Sequence, residues 1–220
     1  MTEKIIRLEQ ITFAYPGNQP VLEDITLEIE TGDFVVILGS NGSAKTTLLQ
    51  IILGLLKPQK GTVSIGTSQI SAPNISYLPQ RTTLNPGFPA TVREVLELTN
   101  KKSSGQNHTQ QINTVLKKVE LQDKSNSLLG TLSGGQLQRV FIARALFNNP
   151  HIIILDEPAN NLDVQAQEDL SQLLNNLHQE GLTILTVTHD LHSVLDYASR
   201  FLLLDRKKIR ELPKENWRVI

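Results

Sequence analysis

The sequence predicts an α/β domain on a mainly parallel sheet, with an N-terminal antiparallel β-subdomain and an inserted helical subdomain. Three observations lead there. Short β-favouring segments, Phe34–Leu38, Ile152–Asp156 and Thr183–Thr188, alternate with stretches of helical periodicity, the pattern of strands buried between helices. The first of them runs into a glycine-rich turn, Gly39–Thr47, that opens a helix. Between Arg81 and Gly130 the composition shifts to polar, helix-patterned text. The expected division is therefore 1–80 and 140–220 for the core with its β-subdomain, and 81–139 for the helical subdomain.

From Ile5 to Leu38 apolar and polar residues alternate, as at Ile25, Leu27 and Ile29, and turn signals at Pro16-Gly17-Asn18 and Thr31-Gly32-Asp33 interrupt the run. Two antiparallel strands leading into a buried third one follow. Lys45–Leu55 reads as an apolar helix, Pro58–Gly61 as a turn, and Thr62–Ile65 and Ile75–Leu78 as strands, with Gln80 closing the second. Thr91-Val-Arg-Glu94 is a capping box for a helix through Leu98. Ile112, Val115, Leu116 and Val119 repeat with helical spacing over Thr109–Leu121, and Lys101–His108 before them reads as a polar loop. Ser133-Gly-Gly-Gln136 opens a helix to Phe147, Asp163–His178 is another, and Arg200–Leu204 with Lys207–Leu212 forms a terminal hairpin.

The chain has 220 residues, enough for one large domain, and its 21 basic and 22 acidic residues give a net charge of -1. That balance supplies no global field for nucleic acid or an anionic membrane. There is no cysteine, which removes disulfides and thiolate chemistry. No signal-peptide core and no membrane-spanning apolar run are present, so a soluble polypeptide is expected, with any membrane role supplied by a partner.

The candidate chemistry begins at Gly39, Ser40, Asn41, Gly42, Ser43, Ala44, Lys45, Thr46 and Thr47. A glycine-rich turn lets successive backbone N–H groups point inward, and the helix behind it adds its positive end, so the stretch suits a polyphosphate. Lys45 would reach the β- and γ-phosphates and the Thr46 hydroxyl would bind Mg²⁺. Four apolar residues, Ile152–Leu155, then end in Asp156 and Glu157. Two carboxylates at the end of a buried strand are costly unless paired or bound to a cation. Asp156 would hold Mg²⁺ and Glu157 would polarise an attacking water, which with Lys45 supplies the parts of phosphoryl transfer. Ser133, Gly134 and Gly135 put bare N–H groups at a second helix start, and one triphosphate seldom needs two such ends.

Taken together these motifs resemble the nucleotide-binding subunit of an ATP-binding cassette (ABC) transporter, over nearly the whole chain from Ile5 to about Leu212. The resemblance implies a P-loop ATPase with ATP and Mg²⁺ as ligands. By it, Tyr15 is the adenine-stacking aromatic, Gly39–Thr47 the Walker A loop, and Gln80 the glutamine that touches Mg²⁺ and the membrane partner. Leu132–Gln136 is similar to the family signature, including Gln136, and Ile154–Pro158 to Walker B. Asn161-Leu162-Asp163 resembles the loop that crosses to the other subunit, and His189 the switch histidine at the γ-phosphate. It further implies a head-to-tail homodimer with two ATP molecules between the P-loop of one copy and the Ser133 loop of the other. A permease in the membrane would be driven by it, placing this chain as a peripheral protein on the cytoplasmic face.

The run Tyr77–Leu96, with Asn85-Pro-Gly-Phe-Pro89 after Gln80, looks like the ATPases of zinc- and manganese-importing ABC systems. That implies a metal-ion importer with an extracytoplasmic metal-binding protein. His108, His151, His178 and His192 are scattered, so cargo metal would be handled by partners. An ABC ATPase for another cargo stays open, as does a soluble ABC ATPase acting on nucleic acid, against which stand the near-zero charge and single cassette. The loop departs from the family pattern at Ala44, where glycine is usual. The methyl, and a positive φ if the loop needs one, would cost roughly 1–3 kcal/mol. With Lys45, Thr46, Asp156, Glu157, Ser133 and His189 all present, the site reads as active.

Overall fold

Five wholly buried residues, Phe34–Leu38, form the strand β3, and both of its faces are covered. Around it the computed structural model describes residues 3–80, 88–99, 106–189, 195–213, 215 and 217. The six-stranded sheet has the order β5 (Ile75–Leu78), β6 (Ile152–Asp156), β7 (Thr183–Thr188), β3, β8 (Arg200–Asp205), β9 (Lys208–Leu212). All neighbours are parallel except the β8–β9 hairpin. A second, antiparallel sheet has the order β2 (Leu22–Glu30), β1 (Lys4–Phe13), β4 (Lys60–Ile65).

The pleat divides the core in two. Phe34, Val36, Ile153, Leu155 and Ile184 face the helices α2 (Val92–Glu97), α3 (Gln106–Lys118), α4 (Gly134–Leu146) and α5 (Val164–Gln179). Val35, Ile37, Ile152, Ile154, Leu185 and Val187 face α1 (Lys45–Ile52) and the antiparallel sheet. Side chains of period two, apolar at every position, are what a sheet covered on both faces requires.

Three expectations shift. The helix after the phosphate loop stops at Ile52 rather than Leu55, because Gly54 takes φ +71 and ends it in the left-handed conformation. The polar loop expected through His108 gives way to helix from Gln106, since His108 is buried with its ring 5.4 Å from that of Phe147 and closes the first turn of α3 onto the core. Residue 139, the expected end of the helical subdomain, falls inside the continuous helix α4. The Thr91–Glu94 capping box forms with both reciprocal bonds. The run 81–87, the loop residues 101–105, His192 and residues 218–220 lie outside the described residues.

Candidate active site

Parallel register brings four chain segments to one edge of the sheet. Leu38 pairs with Thr188, Asp156 with Val187, and Leu78 with Leu155. The phosphate loop, Gln80, the acidic pair and His189 therefore all leave the carboxyl ends of neighbouring strands, where open α/β sheets bind ligands.

Within this edge Lys45 and Glu157 are each 7% exposed and Asp156 is 2% exposed. The Lys45 Nζ donates to the carbonyls of Gly39 at 2.6 Å and Ser40 at 3.2 Å, and lies 3.5 Å from Glu157 Oε1. Glu157 Oε2 in turn sits 2.7 Å from His189 Nδ1, whose ring is half exposed. Asp156 Oδ2 accepts from the Thr46 hydroxyl at 2.8 Å and from the Tyr77 hydroxyl at 3.4 Å. Its Oδ1 is buried with no hydrogen-bond partner among the described residues. Burial pushes the Asp156 carboxyl above the usual carboxylate range, the Thr46 bond opposes this, and the Glu157 charge reinforces it. Burial, then the Asp156 charge, pushes the Tyr77 hydroxyl up to about 12.

Backbone conformation shapes the cluster. Glu157 takes φ 51, so the chain abandons strand geometry immediately after Asp156, and its N–H donates to the Val187 carbonyl at 2.9 Å. Such left-handed non-glycine residues concentrate at functional sites. Ala44, at the start of α1, has φ 72 and ψ 25, so this loop does demand the positive φ that glycine would supply freely. Its methyl packs against the apolar cluster under α1. Gly39 is required sterically, for a Cβ there would lie 2.7 Å from the Leu204 carbonyl oxygen and would also strike the Ser43 hydroxyl. Gly42, at φ +82, has open space where a Cβ would stand. Ser43 Oγ is buried and has no hydrogen-bond partner among the described residues, whereas Ser40 and Asn41 are exposed.

The structure joins Lys45, Thr46, Asp156, Glu157 and His189 through direct contacts. Tyr15 joins through Thr47, the two hydroxyls being 3.0 Å apart. Gln80 is exposed beyond the end of β5. The Ser133 group is built separately. Ser133 caps α4 in a second capping box with Gln136, and Asp163 caps α5 by accepting from the Ala166 N–H at 2.9 Å. Ser133, Gly135, Gln136 and Asp163 line a cavity of about 490 Å³ with Arg139, and none of residues 39–47 lines it. Gly135 permits the α4–α5 approach, since a Cβ there would be 2.9 Å from that of Ala166.

Two residues of these groups escaped the sequence reading. Tyr77 was legible only as a strand residue; the signal was its pairing with Ile154, which sets it diagonally beside Asp156 on one sheet face. Arg139 stands on α4 with its guanidinium on the Val119 carbonyl and the Glu120 and Asp169 carboxylates, partners that only the packing of α3 and α5 brings near. Of the scattered histidines, His178 bonds the Gly32 carbonyl at 2.8 Å and His151 accepts from the Asn74 N–H at 3.0 Å. Among the described residues no three His, Cys, Asp or Glu side chains gather as a metal site, and no helix is long and apolar enough to cross a membrane.

The sequence model described as ABC transporter matches residues 22–160. The chain is 38% identical over 218 residues to the zinc uptake system ATP-binding protein ZurA of Listeria innocua, covering 94% of this chain and 84% of that protein. It is 36% identical to the manganese transport system ATP-binding protein MntB of the same species, with 96% and 90% covered. The dimeric structure of MJ0796, a bacterial ABC transporter cassette, superposes with a TM-score of 0.79 at 35% identity, covering 95% of this chain and 98% of that one. The matched span takes in both the phosphate loop and the acidic strand end, and this chain belongs to the ABC transporter family.

Proposed function

We propose that this chain is the ATP-hydrolysing subunit of an ABC importer for a divalent metal cation, zinc or manganese. The carrying observation is the buried cluster in which Lys45 meets Glu157, Glu157 meets His189, and Thr46 meets Asp156. The loop amides and the N-terminal end of α1 cradle the triphosphate, and Lys45 exchanges the Gly39 and Ser40 carbonyls for β- and γ-phosphate oxygens. Glu157 orients the attacking water and accepts its proton, and His189 holds the Glu157 carboxylate and reaches the γ-phosphate. Tyr15 stacks on the adenine.

The residues fit a magnesium ion. Asp156 Oδ1 is a buried, unpartnered anionic oxygen, beside a hydroxyl from Thr46, which is the hard-oxygen set that Mg²⁺ prefers. Thr46, Asp156 and Gln80 would hold it. Bound there, Mg²⁺ would neutralise charge on the β- and γ-phosphate oxygens.

Ser133, Gly134, Gly135, Gln136 and Asp163 serve the ATP of a second copy, in a head-to-tail homodimer; the separateness of their cavity from the phosphate loop and the dimeric cassette structure support this. The helical subdomain read as 81–139, with α4 continuing to Leu146, carries Ser133, Gly134, Gly135 and Gln136 toward that copy, and Asp163 joins them from the start of α5. The transport partners are an integral permease and an extracytoplasmic metal-binding protein, with this chain peripheral at the cytoplasmic face, and the similarity to the zinc uptake and manganese transport ATP-binding proteins supports the cargo. Cellular zinc, manganese and iron are to be measured under metal limitation after deletion of the gene and its return as parent or as Glu157→Gln. A fall in one metal restored only by the parent is expected. Unchanged metal contents would remove the cargo assignment.

A further inference from the structure

We infer that Gln59 and Thr47 are positioning residues for the nucleotide base, acting through Tyr15. This rests on the reading of Tyr15 as the base-stacking ring and assigns what holds that ring in place.

Tyr15 sits on a turn just past β1, closed by the Asn18 N–H on the Tyr15 carbonyl at 3.0 Å, and is 39% exposed. An exposed ring on a turn must be immobilised when a base binds, which weakens affinity unless it is ordered beforehand. Gln59 orders the backbone. Its side-chain Oε1 accepts from the Ala14 N–H at 2.8 Å and its Nε2 donates to the Ala14 carbonyl at 2.6 Å. These are the two bonds a paired strand residue would supply, and they begin where the β1–β4 ladder stops at Thr12 and Lys60. The Gln59 N–H also donates to the Thr12 carbonyl at 3.0 Å, so the side chain is anchored from its own backbone.

The ring itself has two further holds. Phe13 meets it edge-on at 5.1 Å and 85°. The Tyr15 hydroxyl bonds that of Thr47, a buried residue in the first turn of α1. The ring is thereby tied to the helix whose N-terminal end faces the phosphates, which sets the distance between base and phosphate subsites. The hydrogen bonds of Gln59 go to Ala14 and Thr12 and not to residues 39–47, so its effect on the base passes through Tyr15.

The test compares dissociation constants of the full chain for Mg-ATP and for inorganic tripolyphosphate, by calorimetry, in the parent, Gln59→Ala, Tyr15→Phe, Tyr15→Leu and Gln59→Ala/Tyr15→Leu. Gln59→Ala is expected to weaken ATP binding by roughly 3- to 10-fold, the range for one newly mobile side chain, and to leave tripolyphosphate unchanged. Tyr15→Phe, which removes the bond to Thr47 and spares Thr47 itself, is expected to act in the same direction on ATP alone. In the Tyr15→Leu background Gln59→Ala adds nothing, as coupled sites require. Equal losses for both ligands, no loss for ATP, or a further loss in the double variant would each overturn the inference. If Tyr15→Leu leaves the ratio of the two affinities unchanged, it is the base-stacking reading that fails.

Discussion

Replacing Asp156 with asparagine is expected to stabilise the ligand-free chain while abolishing its response to magnesium. Lys45, Asp156 and Glu157, at 7%, 2% and 7% exposure, carry one positive and two negative charges, so the buried cluster has a net charge of -1. Asp156 adds an oxygen with no partner, and a buried polar atom left unpaired costs about 1–3 kcal/mol. The amide keeps an oxygen for the Thr46 hydroxyl and removes the uncompensated charge, though it still buries polar hydrogens, so the gain belongs at the low end, about 1 kcal/mol. For a domain of this size that is roughly 2–4 °C in Tm. The pH dependence has a definite sign. Because burial raises the carboxyl above its ordinary value, the folded state binds the proton more tightly than the unfolded chain. The stability so contributed is present at low pH and lost as pH rises through the folded-state pKa, so the gap between variant and parent is widest at neutral pH and closes on acidification. Thermal unfolding with and without Mg-ATP measures both effects; the parent gains stability by mass action and the variant does not gain from the metal. A variant that melts below the parent at neutral pH without ligand would refute the reasoning.

Two substitutions probe the phosphate loop from opposite directions. Ala44→Gly removes a left-handed strain of about 1–2 kcal/mol, while the freer unfolded chain and the lost methyl contact offset most of it. Its Tm should stay within a few degrees and its ATP dissociation constant within about tenfold of the parent; a parent constant well above millimolar, restored by glycine, would show that the alanine cripples the site. Gly39→Ala forces a Cβ to 2.7 Å from the rigid Leu204 carbonyl oxygen. It is expected to weaken ATP binding at least tenfold and to cost about 1–3 kcal/mol in denaturant unfolding; parental affinity would show that the loop yields more easily than its packing indicates.

Local signals carried the parts of the site built from contiguous residues. The phosphate loop, the apolar strand ending in Asp156-Glu157, the Thr91–Glu94 capping box and the helix start at Ser133 are written in consecutive residues, and they stand where expected. Ala44 was readable as a departure, but its φ was not, because torsion depends on how β3 delivers the chain to α1. Tyr77, Arg139 and Gln59 were not readable as site residues at all. Each works through a partner at least 20 residues away, such as Asp156, 79 residues from Tyr77, and only strand order, or for Arg139 the packing of α3 and α5, brings them together. The short reach of α1 was in principle visible in Gly54, which the apolar pattern of Leu53, Leu55 and Leu56 obscured.

The strand order also has a consequence for synthesis. β3 lies between β7 and β8, both of which come from the last part of the chain. While the ribosome is still making residues 39–182, Phe34–Leu38 is an apolar strand with both edges bare, a template for pairing with other chains. The nascent chain is thus most prone to aggregate in the interval before residues 183–205 emerge. The contact between Glu157 and His189 cannot form earlier either, because His189 follows β7.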